Sequence, residues 1–166
     1  MITLKTIHKM KKVFSFVAAI VAVMVMAVSC MSENDKNTLA LSEAITAKDM
    51  AKVAELTEVV KNAKDVTADQ ASVVLMSYIF QYKSNVGEAQ AKAYNNLVSY
   101  YETAKGIKGI EAALEDAKKK GLDINASVDA IKAEVAAAAA EAAVAAEAEA
   151  AAAAEAEAAE AEAEEE

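Results

Sequence analysis

Few residues of this chain could do chemistry, and two of them stand near its N-terminus. The sequence contains one cysteine, Cys30, one histidine, His8, and no arginine. A lone thiol cannot close an internal disulfide, but its sulfur can be a nucleophile and a site of covalent modification. The residues that precede Cys30 indicate which chemistry this sulfur undergoes.

The segment before Cys30 has the three parts of a secretory signal peptide: a basic start, an apolar run and a small residue before the cut. Four lysines and no acid lie in residues 1–29, and the run Val13–Val28 has Ser15 as its only polar side chain. As a helix this run is about 24 Å long, shorter than the ~30 Å hydrocarbon core of a bilayer. We therefore predict a cleaved signal peptide over residues 1–29, with a transmembrane anchor as the alternative.

The residues around Cys30 resemble the lipobox of bacterial lipoproteins. They read Ala27-Val28-Ser29-Cys30, with alanine where that family prefers leucine. The resemblance implies that the Cys30 sulfur carries a diacylglyceryl group and that signal peptidase II cuts between Ser29 and Cys30. Two or more acyl chains hold a protein stably on a membrane, so the mature chain would be membrane-anchored.

The residues after the cysteine are predicted to be a tether over 30–36. Residue 31 is methionine, not the aspartate that retains enterobacterial lipoproteins in the inner membrane. Ser29 and the short acidic stretch that contains Glu33 and Asp35 look like those of Bacteroidota lipoproteins. The resemblance implies an outer-membrane location, on either the periplasmic or the surface face.

The charge pattern excludes nucleic acid as a partner. Residues 30–132 carry thirteen lysines and fifteen acids, and residues 133–166 carry eleven glutamates and no lysine. Binding of phosphates requires a Lys/Arg footprint that such an acidic chain does not provide.

Catalytic and metal-binding motifs are missing after residue 29. Without His8 the chain has no histidine, no arginine and no thiol other than Cys30. Nucleophilic dyads and triads that need histidine, and histidine or thiolate metal sites, are therefore excluded. We expect no enzymatic activity, no cofactor and no metal.

The middle of the chain, residues 37–132, is predicted to be an all-α bundle of about five to six helices. It has no proline, and the whole sequence has only four glycines, so few residues interrupt helical structure. Capping and C-cap signals place the helices at about Asp35–Ile45, Thr46–Lys64 (the first two could also run together), Thr67–Lys83, Glu88–Lys105 ended by Gly106, Gly109–Lys120 ended by Gly121, and from Asp123 onward.

The helices 67–84 and 88–105 are predicted to form an antiparallel hairpin at the core. Apolar residues lie on two opposite faces of the first helix, which suits a central position. The second is apolar on one face, with an inward set of Ala93, Tyr94, Leu97, Val98, Tyr101 and Ala104, and with Tyr100 at the rim of that face.

All six aromatic residues after Cys30 lie on this hairpin. The favoured interpretation is a core that gathers its few large side chains in one place. The alternative is that Tyr78, Tyr94 and Tyr100 contact a ligand or partner, with Tyr100 the most exposed.

The C-terminal segment 133–166 consists of alanine and glutamate apart from Val135 and Val144. Its composition predicts either an extended helix or a disordered acidic tail. We expect a spacer or a solubilising segment.

These features together predict a non-enzymatic cell-envelope lipoprotein that acts as a structural or protein-interaction module. Its partners would be the membrane, through the lipid on Cys30, and an unidentified envelope protein. A lipoprotein that binds a small apolar or glycan ligand between helices 67–84 and 88–105 is the alternative, and an accessory enzyme subunit is a third hypothesis.

Overall fold

A computed structural model describes residues 31–163 of the chain, with side chains described through residue 149. The described residues form six α-helices and confirm the all-α bundle. The helices are α1 (Glu33–Ala47), α2 (Met50–Lys61), α3 (Ala68–Ser84), α4 (Gly87–Ala104), α5 (Ile110–Lys119) and α6 (Ile124–Ala163).

These residues belong to two compact units, one that ends at Val128 and one that begins at Asp129. The first unit contains α1 to α5 and the start of α6. In the second, α6 continues as helix through the alanine–glutamate segment to Ala163, which corresponds to the extended-helix form of the predicted tail. Val144 in this segment is 67% exposed.

Helix α3 is the centre of the bundle, as its two apolar faces predicted. It packs against α1, α2, α4 and α5, and every residue from Gln70 to Phe80 is buried. The predicted capping box begins this helix: the Thr67 hydroxyl accepts a hydrogen bond from the Gln70 backbone, and the Gln70 side chain accepts one from the Thr67 backbone. Two unpaired helix donors are satisfied in this way.

The boundary between α1 and α2 differs from the prediction. Thr46 does not cap α2, because it lies within α1 and its hydroxyl donates to the Ser42 carbonyl. Lys48 adopts a left-handed conformation with φ 58° and ends α1. The Asp49 carboxylate then caps α2 by accepting a hydrogen bond from the Lys52 backbone.

Helix α1 also begins earlier than predicted. A capping box of Ser32 and Asp35 starts it at Glu33, so residues 33–36, assigned above to the tether, form its first turn. The spacing Ser-x-x-Asp is itself a cap signal, with aspartate in place of the usual glutamate.

Of the two glycines predicted to end helices, Gly106 and Gly121, only Gly121 does so. Gly121 follows α5 with φ 89°, and the Leu122 and Gly121 backbone amides donate to the Ala117 and Lys118 carbonyls, which is the Schellman arrangement. Gly106 is not a left-handed cap. The chain after α4 turns instead through hydrogen bonds from Gly106 to Thr103 and from Ile107 to Ala104.

A buried polar layer joins α2 to α3. The Thr57 hydroxyl lies 2.9 Å from the Ser77 hydroxyl, and the Gln81 amide donates to Thr57. Ser77 is fully buried in this layer. Buried hydroxyls that satisfy one another favour one register of the two helices over alternatives.

Candidate functional site

The tyrosines predicted as possible contacts lie at the interface of α3 and α4. Tyr78 and Tyr100 pack edge to face with ring centroids 6.0 Å apart, and Tyr82 and Tyr94 pack at 6.3 Å with tilted planes. We call these four residues the tyrosine cluster. Later residues of α3 pair with earlier residues of α4, which confirms the antiparallel hairpin.

The prediction that Tyr100 is the exposed member of this cluster is wrong. Tyr100 is only 8% exposed, because the buried face of α4 is rotated from the predicted one. The buried residues of α4 are spaced by four, three and four positions, at Ala93, Leu97, Tyr100 and Ala104. Tyr94 is partly exposed, so it is the more accessible of the two.

The hydroxyls of Tyr78 and Tyr100 have different surroundings. The Tyr78 hydroxyl donates to Oε1 of Glu58 on α2 at 3.1 Å, and Oε2 of Glu58 pairs with Lys61 at 2.6 Å. The Tyr100 hydroxyl is buried and has no hydrogen-bond partner among the described residues. Such a group carries the cost of desolvation without compensation.

Burial keeps both phenols protonated. Desolvation, with a smaller contribution from the Tyr78 charge, raises the pKa of Tyr100 to about 12. Desolvation and the neighbouring Glu58 carboxylate also raise the pKa of Tyr78 well above 10. Partial burial alone would raise the pKa of Glu58, but the hydrogen bonds from Lys61 and Tyr78 lower it below its usual range. At neutral pH Tyr78 and Tyr100 are therefore both neutral beside a Glu58 carboxylate that is held ionised, and neither phenol acts as a base.

A second aromatic contact lies outside the cluster and was not predicted. The Tyr101 hydroxyl donates to Oδ1 of Asn125 at 2.7 Å, and the Lys105 ammonium lies 4.8 Å from the centre of the Tyr101 ring. Tyr101, which the sequence placed in the inward set, is partly exposed. It joins α4 to the first turn of α6.

A network of capping side chains joins the N-termini of α1 and α3, and sequence reasoning also missed it. The Gln70 amide group donates to Oδ1 of Asp35 at 2.7 Å, and the Asn34 amide group donates to Oε1 of Gln70 at 2.7 Å. We call Ser32, Asn34, Asp35, Thr67 and Gln70 the cap network. Each capping box is visible in the sequence, but their connection depends on tertiary packing.

The predicted lipidation and cleavage residues, Cys30 and Ser29, lie outside the described residues. Met31 is the first residue described, and it directly precedes the N-cap Ser32. Within the described range, no group of three or more acidic, histidine or cysteine side chains is arranged to hold a metal ion. None of the helices described there is both long and apolar enough to span a bilayer.

Comparisons with known proteins give no relative: no protein-family profile, curated protein or solved structure matches this chain significantly.

Proposed function

We propose that this chain is a lipid-anchored, non-enzymatic envelope protein whose helical bundle is a structural or protein-interaction module. The observation that carries the proposal is the position of Cys30. The only cysteine of the chain stands directly after a sixteen-residue apolar run and a small residue, Ser29. Modification of this sulfur with two acyl chains would anchor the protein stably.

The composition after Cys30 supports a role without catalysis. This part of the sequence has no histidine, arginine or further cysteine. Four of its five tyrosines pack against one another in two pairs at the α3–α4 interface instead of surrounding a reactive group. Packed aromatic pairs of this kind contribute about 0.5–1.5 kcal/mol beyond the area that they bury, which is a structural contribution.

The outer membrane is the proposed location, through the resemblance of residues 27–36 to Bacteroidota lipoproteins. Met31 follows the cysteine in place of the aspartate that retains enterobacterial lipoproteins. Fractionation of membranes on a density gradient tests this location, and recovery of the protein only with inner-membrane markers would refute it.

Substitution of the cysteine tests the anchor. In cells fed an alkynyl fatty acid, the wild-type chain should take up the label, whereas Cys30→Ala should remain unlabelled and uncleaved. Ser29→Gly, which keeps a small residue before the cut, is the matched control and should be labelled and processed. A Cys30→Ala variant that is labelled and processed like the wild type would refute the proposal.

A second candidate function is binding of a small apolar or glycan ligand between α3 and α4. The observations that favour it are the partly exposed ring of Tyr94 and the buried, unpaired hydroxyl of Tyr100. If it is correct, a panel of glycans or apolar dyes should contain one that binds saturably. Tyr94→Ala should weaken that binding, whereas Val86→Ala, at a residue that is 83% exposed, should not. Equal binding by both variants would refute this function.

A further inference from the structure

The helix order places two sets of chain segments at opposite ends of the bundle. Asn34 contacts Gln70, so the N-termini of α1 and α3 are adjacent. A Cβ built on Gly109, just before α5, would lie 3.7 Å from the Ala68 side chain, so the turn between α4 and α5 lies there too. Since α2 leads into α3 through residues 62–67, this loop is at the same end.

We call this set the anchor end: residues 31–33, the 62–67 loop and the 105–109 turn. The far end consists of the α1–α2 turn at Lys48 and Asp49 and the α3–α4 turn at Asn85 and Val86. Helix α3 runs from one end to the other, and its 17 residues separate the ends by about 25 Å.

The proposed lipid site is joined to the anchor end by a very short connection. Met31 alone stands between Cys30 and Ser32, and two residue steps span at most about 7 Å. Ser32 is held in turn, because it forms a capping box with Asp35, and Asp35 accepts a hydrogen bond from Gln70 on α3. The cap network therefore leaves little chain between the acyl groups and the body of the bundle.

The surface of the anchor end is compatible with contact to lipid headgroups. Met31, Val66 and Ile107 are partly exposed there, and the exposed Lys64 and Lys108 lie beside the latter two. With the exposed Lys105 these lysines make three positive charges, and the exposed carboxylates of Glu33, Asp65 and Asp69 balance them, so the end is nearly neutral. At the far end the exposed Lys48 and Lys83 are likewise balanced by the exposed carboxylates of Asp49 and Glu88. Charge attraction to an anionic membrane therefore does not distinguish the two ends, and the lipid connection is what favours the anchor end.

We propose that the anchor end lies against the headgroup layer of the membrane, with Val66 and Ile107 at the lipid interface and the far end directed away. This inference rests on the proposed lipidation of Cys30. It adds an orientation: the α3–α4 turn, and not the 62–67 loop, is the part presented to partners beyond the membrane.

Fluorescent probes at the two ends test this orientation. Because the lipidated Cys30 sulfur is a thioether, cysteines introduced by Lys64→Cys, Lys108→Cys and Val86→Cys would each take a single maleimide fluorophore. The full-length lipidated variants, checked for unchanged helical circular dichroism, are reconstituted in vesicles of phosphatidylethanolamine and phosphatidylglycerol. These vesicles also contain a phospholipid with a nitroxide quencher on its headgroup.

The expected result is strong quenching at 64 and 108 and weak quenching at 86, with about a threefold difference, because the probes are separated by about the 25 Å length of α3. Equal quenching at both ends, or stronger quenching at 86, would overturn the orientation. The chain without an added cysteine is the control for lipidation. If maleimide labels this control at Cys30, the sulfur is free and the proposed lipid anchor is wrong. If the control stays unlabelled but the cysteine variants are quenched equally at both ends, only the orientation is refuted.

Discussion

The Tyr78 hydroxyl donates a hydrogen bond to the Glu58 carboxylate at 3.1 Å, and this bond connects the central helix to α2 beside the ring of Tyr100. The two tyrosines pack as one edge-to-face pair, yet one hydroxyl has a partner and the other has none. Removal of the hydroxyl group should therefore affect the free energy of unfolding differently at Tyr78 and at Tyr100.

Replacement of each tyrosine by phenylalanine tests this difference. Tyr100→Phe removes a buried unpaired hydroxyl, so the free energy of unfolding should stay the same or rise by about 1 kcal/mol. Tyr78→Phe removes a hydrogen bond to a charged group and should lower it by about 1–2 kcal/mol. Urea denaturation of both variants measures the two values. A loss of more than about 1 kcal/mol in Tyr100→Phe would show that its hydroxyl has a bonded partner.

The second prediction concerns Gln70, the residue that connects the two capping boxes. Gln70→Ala removes one half of the capping box of α3 and leaves the Asn34 amide group and the Asp35 carboxylate without their hydrogen-bond partner on α3. We expect a loss of about 1–3 kcal/mol in the free energy of unfolding. Glu43→Ala, at an exposed position of α1, is the control and should change it by less than about 0.5 kcal/mol. If both variants have the same stability, the cap network does not hold the two helices together.

Acid should weaken the same network. Hydrogen bonds from Ser32 and then Gln70 lower the pKa of Asp35 below its usual value. In the unfolded chain this carboxylate takes up its proton at a higher pH, near 3.9. Its contribution to stability is therefore complete above that pH and is lost as the pH falls through the lower folded pKa.

Comparison of the wild type with Asp35→Asn isolates this contribution from those of Glu58, Asp116 and Asp123, whose pKa values are lowered as well. The difference in unfolding free energy between the two chains should be constant from pH 7 to about 5 and shrink below about pH 4. Glu43→Gln is the matched control. A difference that stays constant down to pH 2 would contradict the role of the Asp35 carboxylate.

The fourth prediction uses the left-handed residue that ends α1. Lys48 has a positive φ, and this conformation costs a residue with a Cβ about 1–2 kcal/mol relative to glycine. Lys48→Gly should therefore stabilise the bundle by about 1 kcal/mol. Glu55→Gly, at an exposed position inside α2, should destabilise it by about 1 kcal/mol. Thermal unfolding should show opposite shifts in Tm, and a decrease in both would contradict the geometry of this turn.

The sequence predicted the elements whose signals are local. Thr67 and Gln70 satisfy each other within one turn, and Gly121 has the positive φ that its position after α5 requires. The α1–α2 boundary was misplaced because the left-handed residue there is a lysine, which carries no such signal. Thr46 resembled a cap, but its hydroxyl satisfies a carbonyl inside α1.

The buried face of α4 could not be selected from hydropathy alone. Tyr100 and Tyr101 are adjacent, and both give an apolar stripe together with Ala93, Leu97 and Ala104. Tertiary contacts determine which of the two is buried: Tyr100 packs against Tyr78 on α3, while the Tyr101 hydroxyl donates a hydrogen bond to Asn125. The cap network was missed for the same reason, since Gln70 and Asp35 are brought together only by the packing of α1 on α3.

The chemical state of Cys30 is the most direct test of the proposed function. The protein is extracted from membranes with detergent and digested, and its N-terminal peptide is analysed by mass spectrometry. The lipoprotein assignment predicts a peptide that begins at Cys30 and carries the mass of a diacylglyceryl group on sulfur, with or without a third acyl chain on the amine. A membrane-derived peptide in which Cys30 is unmodified, or in which residues before Cys30 remain attached, would contradict it.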